Sequence, residues 1–175
     1  VRSPAAGAAR RRTPGAWSAA SGRARYGYTM GGMGMSKDGS EGASRDVLDA
    51  NGLGEATVPS RSLYPHQWSW DSAFIAIGRS WYDERRAQRE LETLFRAQWA
   101  NGMLPHIVFN PGVSEEQYFP GPSFWDSGRS PNAPRGVATS GITQPPIHAR
   151  AALEMHGHAR DADARQRLAH FVELE

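Results

Sequence analysis

The chain has 175 residues, enough for one ordinary domain, and its lack of cysteine excludes a disulfide framework or a Cys-ligated metal. Seven basic residues and no acid fall in residues 1–37, leaving 13 basic residues against all 18 acids, so the net charge of +2 reflects a basic tail on a mildly acidic body. The longest uncharged apolar run, around Ala73 to Ile77, is far too short for a membrane span; with no Asn-x-Ser/Thr sequon either, the expectation is a cytoplasmic protein that engages no membrane.

Residues 1–43 are expected to be a disordered basic segment. They are rich in Ala, Gly, Ser and Arg and lack apolar periodicity, so they cannot bury enough surface to offset their ordering entropy. Such a tail reads as a nucleic-acid arm, as an organellar transit peptide, or as sequence upstream of the true start. The last is favoured, because the chain begins with Val1 and Met30, Met33 and Met35 offer later starts. Lys37 is the only lysine among many arginines, which suits GC-rich bacterial coding DNA. No nucleic-acid partner is therefore expected, and the glycines of MGGMGMS follow no strand and do not form a nucleotide loop.

A first helix is expected from an N-cap at Ser44 to a stop at Gly52. The segment TVPSRSLYPHQ is extended or looped, since its two prolines exclude a regular helix. From Asp71 to Trp81 the chain reads as a helix, with Phe74, Ile77 and Trp81 at i, i+3 and i+7. Asp83 is an N-cap for the next helix, whose apolar stripe is Ala87, Leu91, Leu94, Phe95 and Trp99, with arginines and glutamates on the other face and Asn101–Gly102 as its end. A link this short makes the two helices antiparallel neighbours.

Residues 103–138 contain six prolines and no sustained periodicity, and a loop of this length inside a domain is usually functional. Thr139 and Ser140 are expected to cap a third helix, with Pro145 and Pro146 in its first turns and Ile147, Ala151, Ala152, Met155 and His156 on its buried side. A fourth helix is expected near Asp163, with Leu168, Phe171 and Val172 as its apolar face. His148, His156 and His158 have spacings that can bind a metal, but HExxH is missing, and solvated helix histidines are the expectation.

The densest chemical signal is LYPHQWSWDSAFIAIG (63–78), which sets Tyr64, Trp68, Trp70 and Asp71 ahead of an apolar run. Flat aromatic faces suit the C–H faces of a pyranose, and a carboxylate accepts two hydroxyl donors at once. The same tryptophans read equally as core aromatics at the start of a buried helix. The order of the later strings AQWANGMLPHIVFNPG (97–112), YFPGPSFW (118–125) and APRGVATSGITQPPIHA (133–149) is more specific. Together they resemble the mannosylglycerate and glucosylglycerate hydrolase group of the α-glycosidases, bacterial relatives of processing α-glucosidase I, over the chain from about residue 58 onward.

The resemblance implies an all-α fold, a partial (α/α)6 toroid of antiparallel helix pairs with long pocket-lining loops, with residues 44–175 as its N-terminal part. It implies inverting hydrolysis of a small α-glycoside of the glucosylglycerate or mannosylglycerate type, with no cofactor and no metal. By matched motif, Tyr64, Trp68, Trp70 and Asp71 would hold the cleaved hexose, His106 and Tyr118 would sit on loops over the pocket, Gln144 would bond sugar or glycerate, and Arg135 would take the glycerate carboxylate. The family's general acid follows a Trp-Glu-Ser-Gly-Met motif and its base lies near the C-terminus of the domain; neither motif occurs here, so both are expected beyond Glu175 and the chain alone is expected to be inactive and poorly packed. SEEQ before Tyr118 departs from the family pattern and lengthens that loop. The alternative is a noncatalytic carbohydrate-binding or interaction remnant of a decayed gene.

Overall fold

The computed structural model of the chain describes residues 37–174, so the expectations for the tail before Lys37 lie outside the described residues. The elements are α1 (Lys37–Ala50), β1 (Gly52–Leu53), β2 (Ala56–Thr57), β3 (Gln67–Trp68), α2 (Ser69–Ser80), α3 (Glu84–Phe95), β4 (Ile107–Val108), α4 (Pro122–Trp125), α5 (His148–His158) and α6 (Ala162–Leu174). The molecule is mostly helical with a few short strands, and none of its described helices is long and apolar enough to cross a membrane.

α1 begins at Lys37, upstream of the expected cap. Ser44 lies inside the helix, where its Oγ donates to the Ser40 carbonyl oxygen at 2.9 Å, so the boundary placed at residue 43 falls within α1. A serine that bonds back to the preceding turn is compatible with a helix interior, and the stop near Gly52 holds. Arg79 of α2 ties α1 down: its guanidinium donates to Asp49 Oδ1 at 2.8 Å and to the Leu48 carbonyl oxygen at 2.7 Å. β1 and β2 form an antiparallel hairpin turned through Gly54, whose φ of 57° favours glycine.

α2 spans nearly the expected residues but buries a different face. Ser72, Ala73 and Ala76 are buried, while Phe74 and Trp81 are exposed. α2 lies against both α3 and α5, and small side chains let two neighbours approach at once, so the larger apolar residues are displaced outward. The three-residue link from α2 to α3 makes them an antiparallel pair, and α5 and α6 pack as a second pair.

α3 starts as expected, with the Asp83 carboxylate accepting from the Arg86 N–H at 3.0 Å. It ends at Phe95, and turns carry the chain to Gly102, whose φ is 88°. Ala87, Leu91, Leu94 and Phe95 join Leu104, Ala152, Met155, Ala164, Leu168 and Phe171 in the core, and Trp99 is also buried. Against expectation, Gln88 and Glu90 are fully buried, for α3 is covered on more than its apolar stripe.

Residues 103–138 contain β4, α4 and a 3-10 turn at Ser127–Arg129, so this stretch is better ordered than its prolines suggested. Thr139 and Ser140 cap no helix. Both are buried in extended chain beside β4, where the Ser140 N–H donates to the Ile107 carbonyl oxygen at 3.1 Å and Thr139 bridges Val108. Pro145 and Pro146 bias their predecessors toward extended backbone, and α5 begins only at His148. His156 and Val172 are exposed, and Ile147 is half-buried at the N-cap, which corrects their expected burial.

Candidate functional site

β3 pairs antiparallel with β4, placing Gln67 opposite Val108 and Trp68 opposite Ile107. The chain then turns directly into α2, with Trp68 as the N-cap residue, Trp70 and Asp71 in the first turn, and no side-chain cap from Trp68. The N–H groups of a helix's first turn lack intrahelical acceptors, and here two distant segments supply them. The Ser69 N–H donates to the His106 carbonyl oxygen at 3.0 Å, and the Trp70 N–H donates to Gln144 Oε1 at 2.8 Å. On the other side His148 Nε2 lies 3.0 Å from Ser69 Oγ and 3.1 Å from the Ser69 carbonyl oxygen. The amino end of α2 is thus the meeting point of three motif strings.

Aromatic rings extend from that end in an unbroken row. Tyr64 meets Trp68 at 5.5 Å, Trp68 meets His106 at 5.2 Å, and His106 meets Trp125 at 5.6 Å, all near edge-to-face. Phe124 and Phe119 continue the row from Trp125. Ser140 Oγ lies 2.6 Å from His106 Nδ1, which fixes the imidazole, and burial pushes its pKa down, favouring the neutral ring. The indole N–H groups of Trp68 and Trp125 are buried without a hydrogen-bond partner among the described residues.

Trp70 and Asp71 reach a second space. They line a cavity of about 300 Å³ with Val47, Leu48, Val58 and Phe74, and Trp70 packs on Phe74 at 5.6 Å. Asp71 is half-buried, and desolvation pushes its pKa up. Tyr118 packs edge-on against His66 at 4.4 Å, and its phenol pKa is pushed up by burial and then by Tyr64. His66 is buried; its Nδ1 accepts the Asn110 N–H at 3.1 Å, and burial lowers its pKa to about 4.

The structure therefore brings Tyr64, Trp68 and His106 together, sets Trp70, Asp71 and Gln144 at the adjoining helix end, and places Tyr118 behind His66. Arg135 stands apart: it is exposed and makes no hydrogen bond or ion pair among the described residues. The sequence reading missed His66, Gln67, Ser140 and Trp125. A signal existed for the first two, since both lie inside the 63–78 motif, but the roles of all four depend on partners in other elements: Asn110 for His66, Glu90 and Thr93 for Gln67, and His106 for Ser140 and Trp125.

Two loop carboxylates are engaged. Glu115 accepts the Ser123 N–H at 2.9 Å at the start of α4, and exposed Asp126, at φ 43°, pairs with Arg129 at 3.5 Å. His158 stacks on Trp81 at 3.8 Å, and among the described residues no group of three His, Cys, Asp or Glu is placed to hold a metal ion.

Residues 64–172 match the family model described as the mannosylglycerate hydrolase MGH1-like glycoside hydrolase domain. The chain is 56% identical over 116 residues to a mannosylglycerate hydrolase of Rubrobacter radiotolerans, covering 66% of this chain and 26% of that protein. It is 53% identical over 115 residues to a glucosylglycerate hydrolase of Mycolicibacterium hassiacum, covering 65% and 25%. Among solved structures it resembles the GH63 mannosylglycerate hydrolase of Thermus thermophilus in complex with Tris and D-glycerate, at 42% identity and a TM-score of 0.64, covering 77% of this chain and 31% of that one. The chain spans about a quarter of the length of these curated relatives.

Proposed function

This chain belongs to the mannosylglycerate hydrolase MGH1-like glycoside hydrolase family, and from that membership we propose that it forms the sugar-holding part of an enzyme that hydrolyses α-glycosides of glycerate with inversion at the anomeric carbon. The observation that carries this reading is the row of Tyr64, Trp68 and His106 running into the helix end that bears Trp70 and Asp71 and is capped by Gln144. Aromatic faces take up the C–H surface of a hexose, and Asp71 and the remaining Gln144 amide donor meet hydroxyls of opposite hydrogen-bonding sense. Tyr118 stands nearer the glycerate, and the unpaired Arg135 offers its fork to the glycerate carboxylate.

Inversion requires a protonated acid at the leaving oxygen and a second carboxylate activating water from the opposite face, some 6.5–9.5 Å away. Among the described residues Asp71 has its pKa raised by burial and not by a neighbouring carboxylate, and Glu115 and Asp126 are engaged on the loop. We assign both proton-transfer groups to residues outside this sequence, and the two helix pairs to one arc of an (α/α)6 toroid. The test is hydrolysis of synthetic glucosylglycerate and mannosylglycerate by the complete protein, with the released hexose followed by proton NMR. The expected first product is the β anomer; release of the α anomer, or no release from either substrate, overturns the reading.

A further inference from the structure

Glu90 of α3 is fully buried, and no cation lies within ion-pair distance of it among the described residues; Arg86 acts only from further away. A buried carboxylate is costly unless its oxygens are satisfied, so its presence has to be understood from what those oxygens touch. Oε1 accepts from Ser72 Oγ at 2.8 Å and from Gln67 Nε2 at 3.2 Å. The Gln67 amide also reaches the Glu90 carbonyl oxygen at 3.0 Å, Thr93 Oγ1 at 2.9 Å and Ser72 Oγ at 3.0 Å. Oε2 and Thr57 Oγ1 have no partner within hydrogen-bond distance, and burial pushes the Glu90 pKa up, which the Ser72 bond, the longer contact with Thr57 and the distant Arg86 offset only in part.

Gln67 immediately precedes Trp68, and Ser72 immediately follows Asp71. One carboxylate on α3 therefore grips both ends of the stretch 68–71, where the chain passes from strand to helix: Trp68 is extended, with φ −105° and ψ 134°, and the residues after it are helical. Trp68 supplies no side-chain cap, so the geometry of this turn is imposed from outside. We infer that Glu90 is a positioning residue, which through Gln67 and Ser72 fixes how Trp68, Trp70 and Asp71 are presented to a substrate; the inference rests on the assignment of those three residues to the sugar. A bond network that merely glued α2 to α3 would loosen the whole packed unit when removed. A clamp on residues 68–71 instead changes their arrangement first.

The experiment introduces 5-fluorotryptophan into the complete protein and compares wild type with Glu90→Gln and Glu90→Leu. Glu90→Gln keeps the volume but turns one acceptor into a donor facing the Ser72 and Gln67 donors. The fluorine resonances of Trp68 and Trp70 are expected to shift or split, while those of Trp81 and Trp99 stay in place. The Michaelis constant for the glycerate glycoside is expected to rise about tenfold, the size of one lost buried hydrogen bond, with kcat changing by less than about threefold. Unmoved Trp68 and Trp70 lines, or Trp81 and Trp99 lines moving along with them, overturn the inference. Should Glu90→Leu fail to fold, Glu90→Gln carries the test. If the wild type releases no hexose, the proposed activity falls, and the fluorine lines alone decide the clamp.

Discussion

Replacing Gln144 with Ala removes the acceptor of the Trp70 N–H, a bond of 2.8 Å formed across 74 residues of sequence. The donor is a first-turn amide with no intrahelical acceptor, and its residue is half-buried, so water compensates only in part. Loss of a helix cap or of one partner of a buried hydrogen bond costs about 1–2 kcal/mol, so local opening at this amide should become about 5–30 times more frequent. Gln144→Glu keeps an acceptor and adds a negative charge at the helix amino end, worth a further few tenths of a kcal/mol in its favour, but deletes the amide donor. Amide hydrogen exchange of the peptide spanning residues 66–72 is the assay, with the Ala variant exchanging faster and the Glu variant exchanging as wild type or slower. Glycoside affinity should fall in both variants. Equal exchange in wild type and Gln144→Ala, or equally fast exchange in both variants, would refute the capping role.

Three further outcomes follow from the same contacts. His66 has a folded pKa of about 4 against 6.5, so the unfolded chain binds the proton first; the stabilisation is complete above about pH 6.5 and is lost as pH falls toward 4, on the order of 2–3 kcal/mol. His66→Asn retains an acceptor for the Asn110 N–H and should flatten the stability profile between pH 4 and 6.5, read by urea unfolding. Asp71 has its pKa raised by burial, which outweighs the hydrogen bond from its own backbone N–H, so Asp71→Asn should leave stability at pH 7 equal or higher while weakening glycoside binding, read by melting temperature and by calorimetric titration. Leu91, fully buried in the core, should cost about 2–5 kcal/mol on truncation to Ala and lower the unfolding midpoint without changing the Michaelis constant of the folded fraction.

Tyr64, Trp68, Trp70, Asp71, His106 and Gln144, chosen from sequence for sugar contact, gather about one helix end, while Tyr118 packs on His66, because strings of motifs in fixed order carry information about a shared three-dimensional place. Arg135 stands farther apart: it lies on an exposed loop and makes no hydrogen bond or ion pair among the described residues. Local signals were reliable where the cause was local. Asp83 caps α3 because its carboxylate needs only a backbone N–H three residues on, and the stripe Ala87, Leu91, Leu94 and Phe95 is buried because a 3.6-residue period brings those positions to one face.

By itself the sequence determined the family, the start of α3 at Asp83, and the antiparallel pairing that a three-residue link enforces. Tertiary structure decided which face of α2 is buried, since two flanking helices select the small residues Ser72, Ala73 and Ala76 over Phe74 and Trp81. It also decided that Thr139 and Ser140 extend along β4, where an available edge and two following prolines outweigh their capping propensity. Glu90 shows the reason most plainly: on α3 it reads as one more solvated acid, and only the approach of Gln67 and Ser72 from outside the helix gives a buried carboxylate the donors that let it stay there.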